Sequence, residues 1–404
     1  MRILQVALPW LAFFLLLILA AVSMQWGSQN AIEDSADLLR RAEEVQLFLN
    51  HVSPYQDPDC TYPPSALPVF AAILGPFDRS ELPQAYLVVN LLALSGILAW
   101  VVSVYGRSWR DPSTLCLLAW CLSCRPVRAG MALGQFHLIP LALALGSMVC
   151  LGSGRKVAAG ILLGIALIKP TMVYPLVLAW VFMGQWRALC VALGLQALLA
   201  LVSSAWLGES MPALILDWLH QARAQMEAGT LDLPTLVGEI WSGTQVRLAT
   251  TVLMAILSAG LMWNVRLGTL AEQTALALIL AAMGTYHRHY DLVLLMPAIL
   301  VLLVGDGSRE GQPWWLDPAR FFSLALALLL IVPTNPIWLR DYAPFINGTI
   351  AVLSYVVAGI LFWKCSPDRD KTGKGILWPG NTRFVDLVKS AAMVGQSLAQ
   401  AFRF

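Results

Sequence analysis

The sequence predicts an all-α polytopic membrane protein with about twelve transmembrane helices. Three observations predict it. Of 404 residues, 58% are hydrophobic and only 12% are charged, against about 25% charged in a soluble domain. Apolar runs recur along most of the chain, several of them near the roughly 20 residues a helix needs to cross a bilayer. The charges also sort by side once those runs are taken as spans. This composition excludes an ordinary soluble enzyme, a disordered chain and a nucleic-acid binder with a basic face.

Runs long enough to span lie at 5–24, 83–105, 135–152, 187–207, 247–263 and 345–363. Shorter ones lie at 113–124, 157–168, 171–183, 272–285, 291–304 and 319–333. Several short runs end at a basic or imidazole residue (Arg125, Lys169, His287), as expected of helices that break at a water-filled cavity. Leu4 to Met24 lacks an A-x-A cleavage site and precedes many further spans, so it is expected as a retained first helix. Residues 25–82 form a large outer loop: a polar, acidic stretch, then Tyr62-Pro63-Pro64, then the apolar segment Ser65 to Phe77. That segment is too short to span and is expected as an interfacial helix on the outer membrane surface. A second outer loop, 208–246, is punctuated by Pro212 and Pro234. Residues 1–363 read as the transmembrane domain. Residues 364–404 read as a basic cytoplasmic tail with an amphipathic helix at 383–403. The seven Cys lie mostly in apolar runs and read as small buried hydrophobes. Cys121 and Cys124 lack the second pair that a zinc site needs.

With Met1 inside, the inner segments hold sixteen of the 26 Lys/Arg and eight of the 24 Asp/Glu. The remainder is correspondingly acidic, which is the positive-inside bias. The near-neutral total of +2 thus divides into a positive inner field and a negative outer one. On this topology Glu33, Asp34, Asp37, Tyr62, Arg125, Arg128, Gln135, His137, Lys169, His287, Arg288, His289 and Asp291 all lie outside or at outer helix ends. Ionisable groups at membrane depth are costly unless paired or wet, so they are functional candidates. Cations from separate helix ends suit a phosphate held between helices, and an acid in the first outer loop suits a general base.

Five motifs in order resemble glycosyltransferase family 87 of the GT-C superfamily. Asp37 follows the first helix, with Pro54-Tyr55 about eighteen residues later. Tyr62-Pro63-Pro64 precedes an apolar segment and Pro76. Gly134-Gln135 opens a helix. Ala159-Gly160-Ile161-Leu162-Leu163-Gly164 leads to Ile168-Lys169-Pro170. His287-Arg288-His289-Tyr290-Asp291 precedes Leu292-Val293-Leu294-Leu295-Met296-Pro297. The resemblance covers about residues 1–305. The chain departs from the family at Arg41, where an aromatic residue is common, at His51, where Gly is common, and at His137, where Asn is common.

The resemblance implies a GT-C-like helical bundle that moves a sugar from a polyprenyl-phosphate donor to a glycolipid or glycan acceptor at the outer face. A hexose such as mannose is the expected sugar. Carried over by spacing, the base is Asp37, with Asp34 as its rival. Arg125, Arg128, Lys169, His287, Arg288 and His289 are the expected phosphate ligands, because guanidinium forks and ammonium groups suit phosphate oxygens. Tyr62, Gln135 and His137 are expected to face sugar or acceptor. Neither a metal nor a separate cofactor is expected, and the partners are membrane lipids, donor and acceptor rather than nucleic acid. The expected location is a bacterial inner membrane, with both termini cytoplasmic and the site on the periplasmic side. The alternative is a transporter or flippase of lipid-linked sugars. Polar residues crowded on one face, without repeated halves, favour the enzyme.

Overall fold

The computed structural model describes residues 2–33, 35–57, 59–105, 111–225, 244–264, 266, 269–284, 289–304, 318–331 and most of 349–360. Among these the chain is helical, with no strand. In order, the helices are α1 (Arg2–Glu33), α2 (Ala36–Leu49), α3 (Ala66–Leu74), α4 (Leu82–Tyr105), α5 (Pro112–Ser123), α6 (Arg125–Leu133), α7 (Leu138–Gly152) and α8 (Lys156–Ala166). They continue with α9 (Pro170–Phe182), α10 (Trp186–Leu207), α11 (Met211–Gln225), α12 (Thr244–Asn264), α13 (Leu270–Gly284), α14 (Leu295–Val304) and α15 (Pro318–Ile331). Short 3₁₀ turns occupy Pro54–Gln56 and His289–Leu294. Each predicted apolar run up to residue 331 falls on a helix, and the last run is helical where described. The amphipathic segment expected at 383–403 lies outside the described residues.

Three helical stretches are long and apolar enough to cross a membrane, one beginning at Trp10 and the others at Leu82–Ser103 and Trp186–Leu207. They turn large apolar side chains outward: Ile18 is 62% exposed, Leu92 67% and Leu198 57%. In a soluble protein such rows would be a liability; against lipid tails they are the matching surface. Helix α13 is the opposite case, buried on every face from Gln273 to Gly284, as an all-round hydrophobic helix at a bundle centre must be. The remaining apolar helices are shorter. The 11 residues of α8 extend about 16 Å, little over half a hydrocarbon core of about 30 Å.

Small residues set the closest helix packing. A Cβ at Gly160 would lie 2.4 Å from the Ala188 carbonyl oxygen, and one at Gly164 would lie 3.1 Å from that of Ala192. These two glycines, one turn apart on α8, let the α10 backbone approach, which is how helices gain contact where no water drives them together. Gln196 of α10 completes the joint, donating from Nε2 to the Gly164 carbonyl at 2.6 Å and accepting from Ser65 at 2.5 Å.

The segment read as the first outer loop departs from the sequence reading in two ways. Helix α1 continues to Glu33 instead of ending near residue 24. Its last turns are polar but pack on α6: a Cβ at Gly27 would lie 3.3 Å from the Arg128 carbonyl oxygen, and the Arg128 guanidinium lies 5.3 Å over the Trp26 ring, so tertiary contact carries the helix past its apolar run. The apolar segment after Pro64 forms the nine-residue α3, and it is not a lone surface helix. Ala66, Leu67 and Phe70 are fully buried, with Phe70 packed on Tyr62 and Phe136. Helices α10 and α11 hold the surrounding loop through its carbonyls: Trp206 donates to Phe48 at 2.9 Å, Ser203 to Pro64 at 2.7 Å, Trp218 to Thr61 at 2.9 Å and Gln221 to Tyr55 at 3.0 Å. The Phe48 and Pro64 carbonyls also accept backbone N–H groups, from His51 and Leu67, so these side chains add a second donor there. His51, the one described non-glycine residue with positive φ (62°), stacks on the Trp206 ring at 4.5 Å.

Candidate active site

Asp37 stands in the first turn of α2, where the helix dipole favours a negative charge. It meets the turn between α6 and α7. That turn begins at Gly134, which caps α6 in the left-handed region at φ 70°. A Cβ there would fall 2.4 Å from the Leu38 Cβ. Glycine is therefore required twice, for its backbone angle and for the close passage of α2. The next residue, Gln135, donates its side-chain amide to the Asp37 carboxylate.

The turn leads on to His137, which is fully buried. Its Nδ1 lies 3.1 Å from the Gln135 carbonyl oxygen, and its ring is 5.9 Å from that of Tyr290. Tyr290 and Asp291 belong to the 3₁₀ turn His289–Leu294, which packs against α6. Lys169 joins them from the break between α8 and α9. There the backbone leaves the helical region at φ −123°, ψ 76°, and Pro170 starts the next helix. The Lys169 ammonium donates to Asp291 at 2.5 Å and sits 5.2 Å over the Tyr290 ring. This ion pair is well enclosed, with side-chain exposures of 13% and 3%. Buried charges survive when paired in this way.

The rest of α2 builds a wall beside Asp37. Arg41, one turn along, pairs with Glu44 at 2.5 Å, donates to the Asp59 carbonyl at 3.1 Å and lies 5.2 Å over the Tyr62 ring. Tyr55 donates to the Tyr62 carbonyl at 2.9 Å. Burial raises the Glu44 carboxyl to about 7, outweighing the opposing pull of Arg41, with Asp57 adding to the rise. Burial likewise pushes up the Tyr55 and Tyr62 hydroxyls and the Cys60 thiol.

The predicted site residues therefore divide. Asp37, Gln135 and His137 form one continuous set, and Lys169 joins it through Tyr290. Tyr62 is buried in the apolar cluster with Phe70 and Phe136, beneath Arg41. Arg125 is 3% exposed at the start of α6, and Arg128 covers the Trp26 ring of α1 at 5.3 Å. His289 opens the 3₁₀ turn; Asp34, His287 and Arg288 lie outside the described residues. Among the described residues no group of three or more His, Cys, Asp and Glu converges as a metal site. Sequence reasoning gave Asp291, Tyr290 and Glu44 no specific role. The spacing Asp37, Arg41, Glu44, Phe48 is a helical stripe, and read as such it would have turned those charges inward with Leu38 and Val45.

Among the described residues, the helical bundle with its outward apolar faces is that of a membrane protein, and an acid, a lysine and an imidazole come together near its helix ends. The chain belongs to glycosyltransferase family 87, whose family model matches residues 61–308. It is thus a membrane glycosyltransferase. No curated protein and no solved structure matches the chain.

Proposed function

We propose that the protein transfers a sugar, a hexose such as mannose, from a polyprenyl-phosphate donor to a glycolipid or glycan hydroxyl at the outer face of a bacterial inner membrane. The reaction is a single inverting displacement. The acceptor oxygen bonds to the anomeric carbon as the bond from that carbon to the phosphate oxygen breaks. The acceptor proton passes to Asp37, and polyprenyl phosphate departs with the electron pair. Lys169, with Arg125, Arg128, His287, Arg288 and His289, provides the cationic side that receives the phosphate. Tyr62 and His137, both buried, back the sugar and acceptor side from within the protein. Membrane lipids surround the bundle, and the reaction uses neither a metal nor a separate cofactor.

The observation that carries this reading is the joining of Asp37 to Lys169 through Gln135, His137 and Tyr290, residues from well-separated parts of the chain. A general base and a phosphate-binding cation are the two charges this displacement needs. Purified protein in lipid nanodiscs, given synthetic polyprenyl-phosphate sugars and a glycolipid acceptor, should form product. Asp37→Asn should lose about 10²–10⁴-fold in rate, the usual worth of a proton-transfer group, while unfolding at the wild-type temperature. Full activity in Asp37→Asn with a dead Asp34→Asn would move the base to Asp34. Use of none of these donors would refute the donor class.

A further inference from the structure

Gln135 carries a side chain that could hydrogen-bond a sugar, but its surroundings fix it for another task. Its backbone is held at both polar groups. The N–H donates to the Gly130 carbonyl at 2.9 Å, and the carbonyl oxygen lies 3.1 Å from the His137 Nδ1. The His137 ring is itself wedged against Gly130, where a Cβ would fall 1.7 Å from its Cε1. Only glycine leaves room for that ring. From this fixed point the Gln135 amide reaches across to the Asp37 Oδ2, 98 residues away in sequence. Gly134, immediately before it, is what lets α2 come this close. A carboxylate is acceptor-only when ionised, and holding one oxygen on a rigid donor fixes the direction of the other.

We infer that Gln135 is a positioning residue for Asp37: its amide anchors Oδ2 and leaves Oδ1 to take the acceptor proton. The inference rests on Asp37 as the base. His137 and Gly130 act one step further back, by fixing the backbone that carries the amide. Arginine or lysine could also hold a carboxylate, but a cation would neutralise the charge that a base uses. A neutral amide holds the group in place with less loss of basicity.

Replacing Gln135 tests this with two readouts. Misplacing a reacting group by about 1 Å costs on the order of 10²-fold in rate, so Gln135→Ala should lower kcat by about that factor. Both donor and acceptor KM should stay within about twofold of wild type, because the lost interaction is not with substrate. Gln135→Glu keeps the shape but sets a second carboxylate against Asp37, and it should be at least as impaired as Gln135→Ala. The second readout needs no substrate: carbodiimide labelling of carboxyl groups followed by peptide mass spectrometry. Gln135→Ala should raise labelling of Asp37 several-fold while leaving Asp57 and Asp59 unchanged. A raised KM with kcat retained would assign Gln135 to the substrate and overturn the inference. So would wild-type turnover in Gln135→Glu, or unchanged Asp37 labelling in Gln135→Ala. Should Asp37→Asn turn over normally, the base assignment falls separately, and labelling alone decides whether Gln135 holds Asp37.

Discussion

Glu44 gives the segment between α1 and α4 a pH-dependent stability. Its carboxyl is 2% exposed and titrates near 7 instead of 4.5, because burial outweighs the pull of Arg41. Between those two values the folded protein holds a proton that the unfolded chain has released. By linkage, stability then falls as pH rises. The contribution is complete below about 4.5 and lost as pH passes through about 7. Each tenfold difference in proton affinity between the two states is worth about 1.4 kcal/mol, so the whole loss is about 3 kcal/mol. Glu44→Gln keeps the side-chain shape and cannot ionise. It leaves Arg41 its bond to the Asp59 carbonyl and its place over Tyr62. The stability difference, wild type minus Glu44→Gln, should therefore fall by about 3 kcal/mol between pH 4.5 and 8. Thermal unfolding in detergent micelles, followed by intrinsic fluorescence across that range, measures it. Every other ionisable group is common to both proteins and cancels in the difference. A constant gap between the two unfolding curves, or one that moves in favour of wild type as pH rises, would refute the reasoning.

Two further outcomes follow from the packing. Lys169→Met and Asp291→Leu each remove one half of this buried ion pair, which costs about 3–5 kcal/mol, whereas the double variant carrying both should lose less than the two singles added together. Unfolding in detergent decides this, with strict additivity counting against the coupling; all three variants should fail in the transfer assay. Gly160→Leu forces α8 away from the Ala188 carbonyl and should cost about 1–3 kcal/mol as overpacking. Wild-type yield and unfolding temperature for that variant would show that the two helices tolerate separation.

Much of the fold was legible because a bilayer imposes a coarse rule. Backbone groups in hydrocarbon must be satisfied within the segment, so a long apolar run can hardly be anything but a helix. That is why each run up to residue 331 proved helical. The rule fails where the chain leaves the apolar environment. Helix α1 outlasted its apolar run because its polar end packs on α6, with Arg128 over the Trp26 ring. The segment after Pro64 is apolar enough for a membrane surface, but Phe136 and Tyr62 offered its phenylalanine a closer partner. The site was legible as a set of residue types on one side of the topology, without their pairings. Lys169 stood out because a proline follows it in an apolar setting. That Asp291 holds it depends on where a 3₁₀ turn 122 residues later comes to rest.

The sequence alone determined the membrane class, the helical content and the family, since all three follow from local composition and motif order. It also singled out Asp37, Gln135 and Lys169 as polar residues at costly positions. Only the tertiary structure decided what each of them faces. Two glycines, Gly130 and Gly134, admit the His137 ring and the α2 backbone at distances no Cβ permits. Those approaches turn Gln135 towards Asp37 and place His137 beside Tyr290 and Lys169. A hydrogen bond is won or lost within a few tenths of an ångström, and that precision comes from packed backbones rather than from residue type.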